Sequence, residues 1–137
     1  MTITDMARQD VVTIAPDTSA AEISRTLAEE NVGSVVVVDG DEPVGIVTDR
    51  DLALQAVGAD ATTITASDIM AEELFTVETD ERIYDVLEQM RDAGVRRVPV
   101  VEDGELVGIV TLDDFLVLLS SELEHVSGVI QSGIPEY

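Results

Sequence analysis

The sequence predicts an α/β (α+β) fold made of two β-α-β-β-α repeats packed with pseudo-twofold symmetry. Three observations lead there. Asp5 to Leu54 lies over Asp68 to Val117 at a constant offset of 63 residues without a gap, and a fixed internal period decides architecture before any local reading. The hydrophobic period changes in the same order inside both copies. Apolar residues make up 45% of the chain, enough to repay the ordering of a packed core.

Each copy opens on a short β-rich stretch, Val11–Ile14 or Leu74–Val77. A helix follows, with apolar positions at Ala20, Ile23 and Leu27 in the first copy and at Ile83, Val86, Leu87 and Met90 in the second, spaced to bury one face. Ser19 with Glu22, and Asp80 ahead of Ile83, are the N-terminal caps that this pattern suggests. The apolar runs Val35–Val38 and Val98–Val101 are too short for helices and read as buried strands. Asp39-Gly40 and Asp103-Gly104 turn the chain into second strands, Val44–Val47 and Leu106–Val110. A second helix starts after Thr48 or Thr111 and carries Leu52, Leu54 and Val57, or Phe115, Leu116 and Leu119.

The small, polar stretch Gly58–Ser67 reads as a linker. The first repeat then occupies residues 1–60, the second 61–125, and a weakly patterned tail 126–137. A unit of about 60 residues is marginal alone, so the copies are expected to pair face to face and bury their sheets.

Net charge is −22, from 29 acidic residues against seven basic ones, all seven arginine. Such a surface repels nucleic acid and anionic membranes, so neither is an expected partner. Because the charge is spread along the whole chain, it points to a halophilic setting, where the Debye length falls to about 3 Å; an acidic protein of ordinary salt is the alternative. Cysteine is absent, which removes disulfides, thiolate chemistry and cysteine-type zinc sites and fits a reducing, cytoplasmic compartment. No apolar stretch approaches the ~20 residues of a membrane span.

The sharpest feature is Gly45-Ile46-Val47-Thr48-Asp49-Arg50-Asp51, echoed as Gly108-Ile109-Val110-Thr111-Leu112-Asp113-Asp114. Thr-x-x-Asp at a helix start is a capping box, in which Thr satisfies one backbone N–H and the acid another. The preceding glycine and β-branched pair put a strand end and a helix N-terminus at one point, where free N–H groups favour an anion. The Thr hydroxyl adds a donor, and an ionised Asp one turn in is acceptor-only, suited to the two hydroxyls of a ribose diol.

The order of elements, the Gly-x-x-Thr-x-x-Asp segment that closes each copy and Val98-Pro99-Val100 resemble a tandem pair of CBS (cystathionine beta-synthase) domains, from about Thr4 to Leu119. The resemblance implies a non-catalytic regulatory or sensor module that binds an adenosine-type nucleotide (AMP, ADP, ATP or an S-adenosyl compound) in the clefts between the copies. It implies that Thr48 and Thr111 contact phosphate or ribose and that Asp51 and Asp114 hold the ribose hydroxyls. Adenine is then expected in an apolar cleft lined by Val12–Ile14, Phe75–Val77 and the stretches leading into Val35 and Val98. A homodimer formed through the helices is implied too, with a protein partner possible and no cofactor or metal beyond the ligand.

Arg50, Arg96 and Arg97 are three of the seven cations and lie close to these motifs. Arg suits planar recognition of phosphate; pairing with local carboxylates is the competing role. The copies differ where Gly33-Ser34-Val35-Val36 meets Arg96-Arg97-Val98-Pro99 and where Asp49-Arg50 meets Leu112-Asp113. The two sites are therefore not expected to be equivalent.

Acidic pairs such as Glu29-Glu30, Glu72-Glu73 and Asp113-Asp114 are unavoidable at this acid content and are not read as catalytic or metal-binding. His125, the single histidine, is far from any motif, so no Ser-His-Asp set is expected. Met6 and Met70 read as core filling. Two alternatives stay open: a ligand-free interaction module in which the Thr/Asp segments are caps alone, and a metal-dependent nucleotide hydrolase.

Overall fold

The computed structural model describes residues 1–55, 58–71 and 73–133. After a 3-10 turn at Ile3–Asp5, the first repeat runs β1 (Thr13–Ile14), α1 (Ala20–Glu30), β2 (Ser34–Asp39), β3 (Glu42–Thr48) and α2 (Asp49–Gln55). A short helix, α3 (Ala66–Ile69), leads into β4 (Val77–Glu78), α4 (Ile83–Ala93), β5 (Arg97–Glu102), β6 (Glu105–Thr111) and α5 (Leu112–Ser132). The expected β-α-β-β-α order is thus present twice, in two three-stranded sheets ordered β1-β2-β3 and β4-β5-β6. In each, the helical crossover makes the first pair parallel and the tight turn makes the second antiparallel. Val57 and Glu72 lie outside the described residues.

Local chemistry sets the element ends. Ser19 Oγ accepts from the Glu22 N–H and starts α1 as expected. Asp80 does not cap α4: the cap position is Arg82, which makes no side-chain bond, and Asp80 stands two residues too early for its carboxylate to meet the first free N–H groups. Left-handed Asn31 (φ 53°) and Gly94 (φ 70°) close α1 and α4. β1 and β4 are only two residues long, shorter than the β-rich stretches that precede them; Val11, Leu74 and Phe75 line a cleft instead.

Two separate cores form, and each borrows from the other repeat. Ile14, Ala20, Ile23, Leu27, Val35, Val37 and Val47 pack with Ala66 and Ile69 of α3. Val77, Ile83, Val86, Met90, Val98, Val100, Val110 and Phe115 pack with Ile3. The leading turn of each copy is therefore buried under the opposite sheet. One capping box is used twice for these turns: the Thr2 N–H donates to Asp5 Oδ2 at 2.8 Å and the Thr65 N–H to Asp68 Oδ2 at 2.9 Å. Main-chain bonds tie the exchange down, Ile3 N–H to Glu81 O at 2.8 Å and Ala66 N–H to Thr18 O at 2.9 Å. Ala66, read as linker, is thus core. The two copies pack together through these turns, through contact of β3 with β6 and through the Leu106 N–H, which donates to Asp41 O at 2.9 Å.

Leu54 is exposed, so α2 buries less than its apolar content suggested, and on α5 only Phe115 is buried while Leu116 and Leu119 face outward. The weakly patterned tail from residue 126 continues α5 to Ser132.

Candidate functional site

Between the repeats lies a cleft of about 850 Å³, within the size range of small-molecule sites. The first repeat contributes Thr48, Arg50 and Asp51, and the second Arg96, Arg97 and Thr111, so six of the seven residues nominated from sequence meet there. Asp114 is not part of the lining. Val11, Val12, Val36, Ile46, Leu74 and Phe75 supply apolar wall. Ile14 and Val77, expected beside Val12 and Phe75, are instead 9% and 1% exposed in the two cores, because the ladders begin at Thr13 and Val77 and turn these side chains inward.

Each Thr-x-x-Asp segment folds as a reciprocal capping box. The Thr48 N–H donates to Asp51 Oδ2 at 2.9 Å, and Thr48 Oγ1 accepts from the Asp51 N–H at 3.1 Å. In the second copy the Thr111 N–H donates to Asp114 Oδ2 at 2.9 Å and Thr111 Oγ1 accepts from the Asp114 N–H at 3.4 Å, with the hydroxyl also 3.2 Å from Oδ2. The copies differ at the remaining oxygen. Asp114 Oδ1 accepts from Arg8, whereas Asp51 Oδ1 has no partner among the described residues.

Arg8, Arg50, Arg96 and Arg97 all line the cleft, four of the seven cations of the chain. Among the described residues Arg50, Arg96 and Arg97 have no carboxylate within 4.0 Å, although Asp10, Asp49, Glu73 and Asp113 share the lining. Arg25 and Arg82, outside the cleft, are likewise without a carboxylate partner among the described residues. Arg97 reaches across from the second repeat onto the first, its Nη2 lying 3.4 Å from where a Cβ on Gly33 would stand. A smaller hollow of about 590 Å³ between α4 and the start of α5 holds only Arg91, which is paired with Glu88 and Asp92 at 3.7 and 3.1 Å.

Sequence reasoning missed Arg8. The offset pairs it with Ala71, and nothing in the local pattern says that the segment bearing it crosses to β6. Asp60 and Asp68, in the connection between the repeats, titrate below the ordinary aspartate value. The Thr62 hydroxyl, then its N–H, holds Asp60 down, and the Thr65 N–H, then its hydroxyl, holds Asp68 down. Among the described residues no group of three or more His, Asp or Glu is placed to hold a metal ion, and no helix is long and apolar enough to cross a membrane.

Duplicated sheets around a shared, ligand-sized cleft define a tandem-repeat module. The CBS domain model matches residues 3–58 and 66–121, and the chain belongs to the CBS-domain family. It is 33% identical over 117 residues to the CBS domain-containing protein YhcV of Bacillus subtilis, covering 84% of this chain and 83% of that one. It is 42% identical over 120 residues to protein MK0525 of Methanopyrus kandleri, covering 85% of this chain but spanning only 61% of MK0525. Among solved structures, the CBS domain pair of protein MJ0100, in complex with 5′-methylthioadenosine and S-adenosyl-L-methionine, matches with a TM-score of 0.79 at 28% identity, over 89% of this chain and 98% of that one.

Proposed function

We propose that the chain is a non-catalytic regulatory module that binds an adenosine-type nucleotide in the cleft between its repeats. One observation carries this reading: three arginines without a carboxylate partner face one concavity in a chain of net charge −22. Arg25 and Arg82 also lack a carboxylate partner among the described residues, but Arg50, Arg96 and Arg97 converge on one concavity, and converging unpaired guanidinium groups suit an incoming anion. Thr48 and Asp51 are the ribose-facing pair, Arg50, Arg96 and Arg97 the phosphate-facing group, and Val12, Val36, Ile46 and Phe75 the apolar wall for the base. The ligands held by MJ0100, which this chain resembles in fold, support adenosine recognition. The arginines favour phosphate-bearing members, AMP, ADP or ATP, over S-adenosyl compounds.

Titration calorimetry of AMP, ATP and S-adenosylmethionine in high-salt buffer tests the reading. Heat is expected with a nucleotide and is expected to weaken at least tenfold in Asp51→Ala and in Arg96→Ala/Arg97→Ala, each charge-assisted hydrogen bond being worth roughly 1.5–3 kcal/mol. No heat from any of the three compounds leaves a ligand-free interaction module. Release of inorganic phosphate on incubation with ATP and Mg²⁺ would instead favour the hydrolase alternative.

The module works as a homodimer in this reading. Leu116, Leu119, Leu123, Val126 and Ile130 recur at alternating three- and four-residue steps on α5 and are all exposed, the spacing of a two-helix seam. Between Phe115 and Ser132 the only charged or titratable residues are Glu122, Glu124 and His125, so the face is nearly free of the repulsion carried elsewhere. Leu123→Glu is expected to halve the mass measured by light scattering; an unchanged mass would exclude α5 as the contact. A ligand that prefers one arrangement of the repeats would change what the dimer presents to a protein partner. A cytoplasmic, salt-rich setting suits the cysteine-free, acidic composition.

A further inference from the structure

The two halves of the cleft share one motif but are not equally free to take a ligand, and the difference traces to residue 8. Arg8 is held by its main chain. Its N–H donates to Ile109 O and its carbonyl accepts from the Ile109 N–H, both at 3.0 Å. Gly108 permits this approach, since a Cβ there would sit 3.0 Å from the Arg8 carbonyl oxygen. From that anchor the guanidinium reaches Asp114, with Nε and Nη2 each 3.1 Å from Oδ1. Oδ2 already accepts from the Thr111 N–H at 2.9 Å and its hydroxyl at 3.2 Å. Both oxygens of Asp114 are engaged, and its side chain is only 11% exposed.

The first half is built differently. The internal repeat places Ala71 where Arg8 stands, so no cation reaches Asp51 from that position, and Asp51 Oδ1 has no partner among the described residues. A ribose diol needs a free acceptor; Asp51 offers one, and Asp114 does so only after Arg8 is displaced. The residues beside the two carboxylates differ in charge as well. Arg50 stands beside Asp51, while the repeat puts Asp113 at the matching position near Asp114. Arg97 comes to Gly33, whose carbonyl accepts the Asp49 N–H at 3.1 Å, and so adds to the Asp51 half, whereas Arg96, whose carbonyl accepts the Leu112 N–H at 2.8 Å, stands at the Asp114 half.

We propose that Arg8 makes the module single-site: one nucleotide binds per chain, in the Asp51 half, and the Arg8–Asp114 pair closes the other half. This rests on the nucleotide reading above and adds which half is used and which residue decides it. The test is calorimetric stoichiometry on the whole chain in high salt, with AMP as probe and ATP as a second. The wild type is expected to saturate at one equivalent per chain, and Asp51→Ala to weaken that event at least tenfold. Arg8→Ala and Arg8→Gln are expected to raise the stoichiometry to two, and adding Asp114→Ala to either to return it to one. Two equivalents in the wild type, or one in both Arg8 variants, would overturn the single-site proposal while leaving nucleotide binding intact. No heat from either probe would overturn the nucleotide reading and this proposal with it.

Discussion

Ile3→Ala probes the exchange of leading turns, because the side chain it removes belongs by sequence to the first repeat and by packing to the second. Ile3 is 0% exposed among Val77, Ile83, Val86, Met90, Val98, Val100, Val110 and Phe115. The substitution deletes three buried carbon groups, about 2.4 kcal/mol at roughly 0.8 kcal/mol each. The cavity left behind raises the expected loss to about 3 kcal/mol, inside the range of roughly 2–5 kcal/mol for such truncations. For a chain this size that lowers Tm by roughly 10 °C. Thermal unfolding at fixed salt measures the loss, and amide hydrogen exchange locates it: protection is expected to fall in β5 and β6, 94 or more residues away in sequence. A loss under about 1 kcal/mol, or faster exchange confined to β2 and β3, would refute the exchanged packing.

Gly108→Ala places a Cβ 3.0 Å from the Arg8 carbonyl and 3.2 Å from the Ala7 Cβ, so roughly 1–3 kcal/mol of overpacking is expected, with faster exchange at the Ile109 amide; an unchanged Ile109 amide would argue against that contact. Asp68 titrates below its ordinary value, so its contribution is complete above about pH 4 and is lost as pH falls through its folded pKa. Asp68→Asn should therefore flatten that part of the stability–pH curve, and an identical curve would show that the α3 cap is not what titrates. Among the described arginines only Arg8 and Arg91 pair with carboxylates, so most acids repel without a cationic partner. Raising KCl from about 0.1 M to about 1 M cuts the Debye length from ~10 to ~3 Å and is expected to raise Tm; a flat or falling Tm would count against a salt-adapted surface.

Much of this fold is written in near-neighbour patterns. The valine runs, the Asp-Gly turns and the alternation of helix and strand periods depend on residues within one element, and all reappear as elements of the structure. What could not be seen was which core a segment joins. Thr2–Asp5 and Thr65–Asp68 form the same capping box in the structure, but Gly58–Ser67 reads locally as a linker, and nothing near either segment says that its turn crosses to the other repeat. Arg8 escaped notice for the same reason, since its meaning comes from a main-chain pair with Ile109, 101 residues away. The Asp80 cap failed because α4 starts at Ile83, two residues later than that cap requires. The end of α5 buries no face within the chain, and the tail reading of residues 126–132 missed that Val126 and Ile130 continue the three- and four-residue spacing of Leu116, Leu119 and Leu123. At the site, the motif pointed to Thr48, Asp51 and Thr111, which line the cleft, but only geometry distinguished the open carboxylate of Asp51 from the engaged one of Asp114.

The central claim is a nucleotide held between the repeats, and the most direct measurement is a two-dimensional ¹⁵N–¹H NMR titration of the labelled chain with ATP. Saturable shifts are expected at the amides of Thr48, Arg50 and Asp51 and of Arg96 and Arg97, with α5 beyond Leu119 unaffected. Spectra that do not change up to millimolar ATP, or that change only along α5, would contradict it.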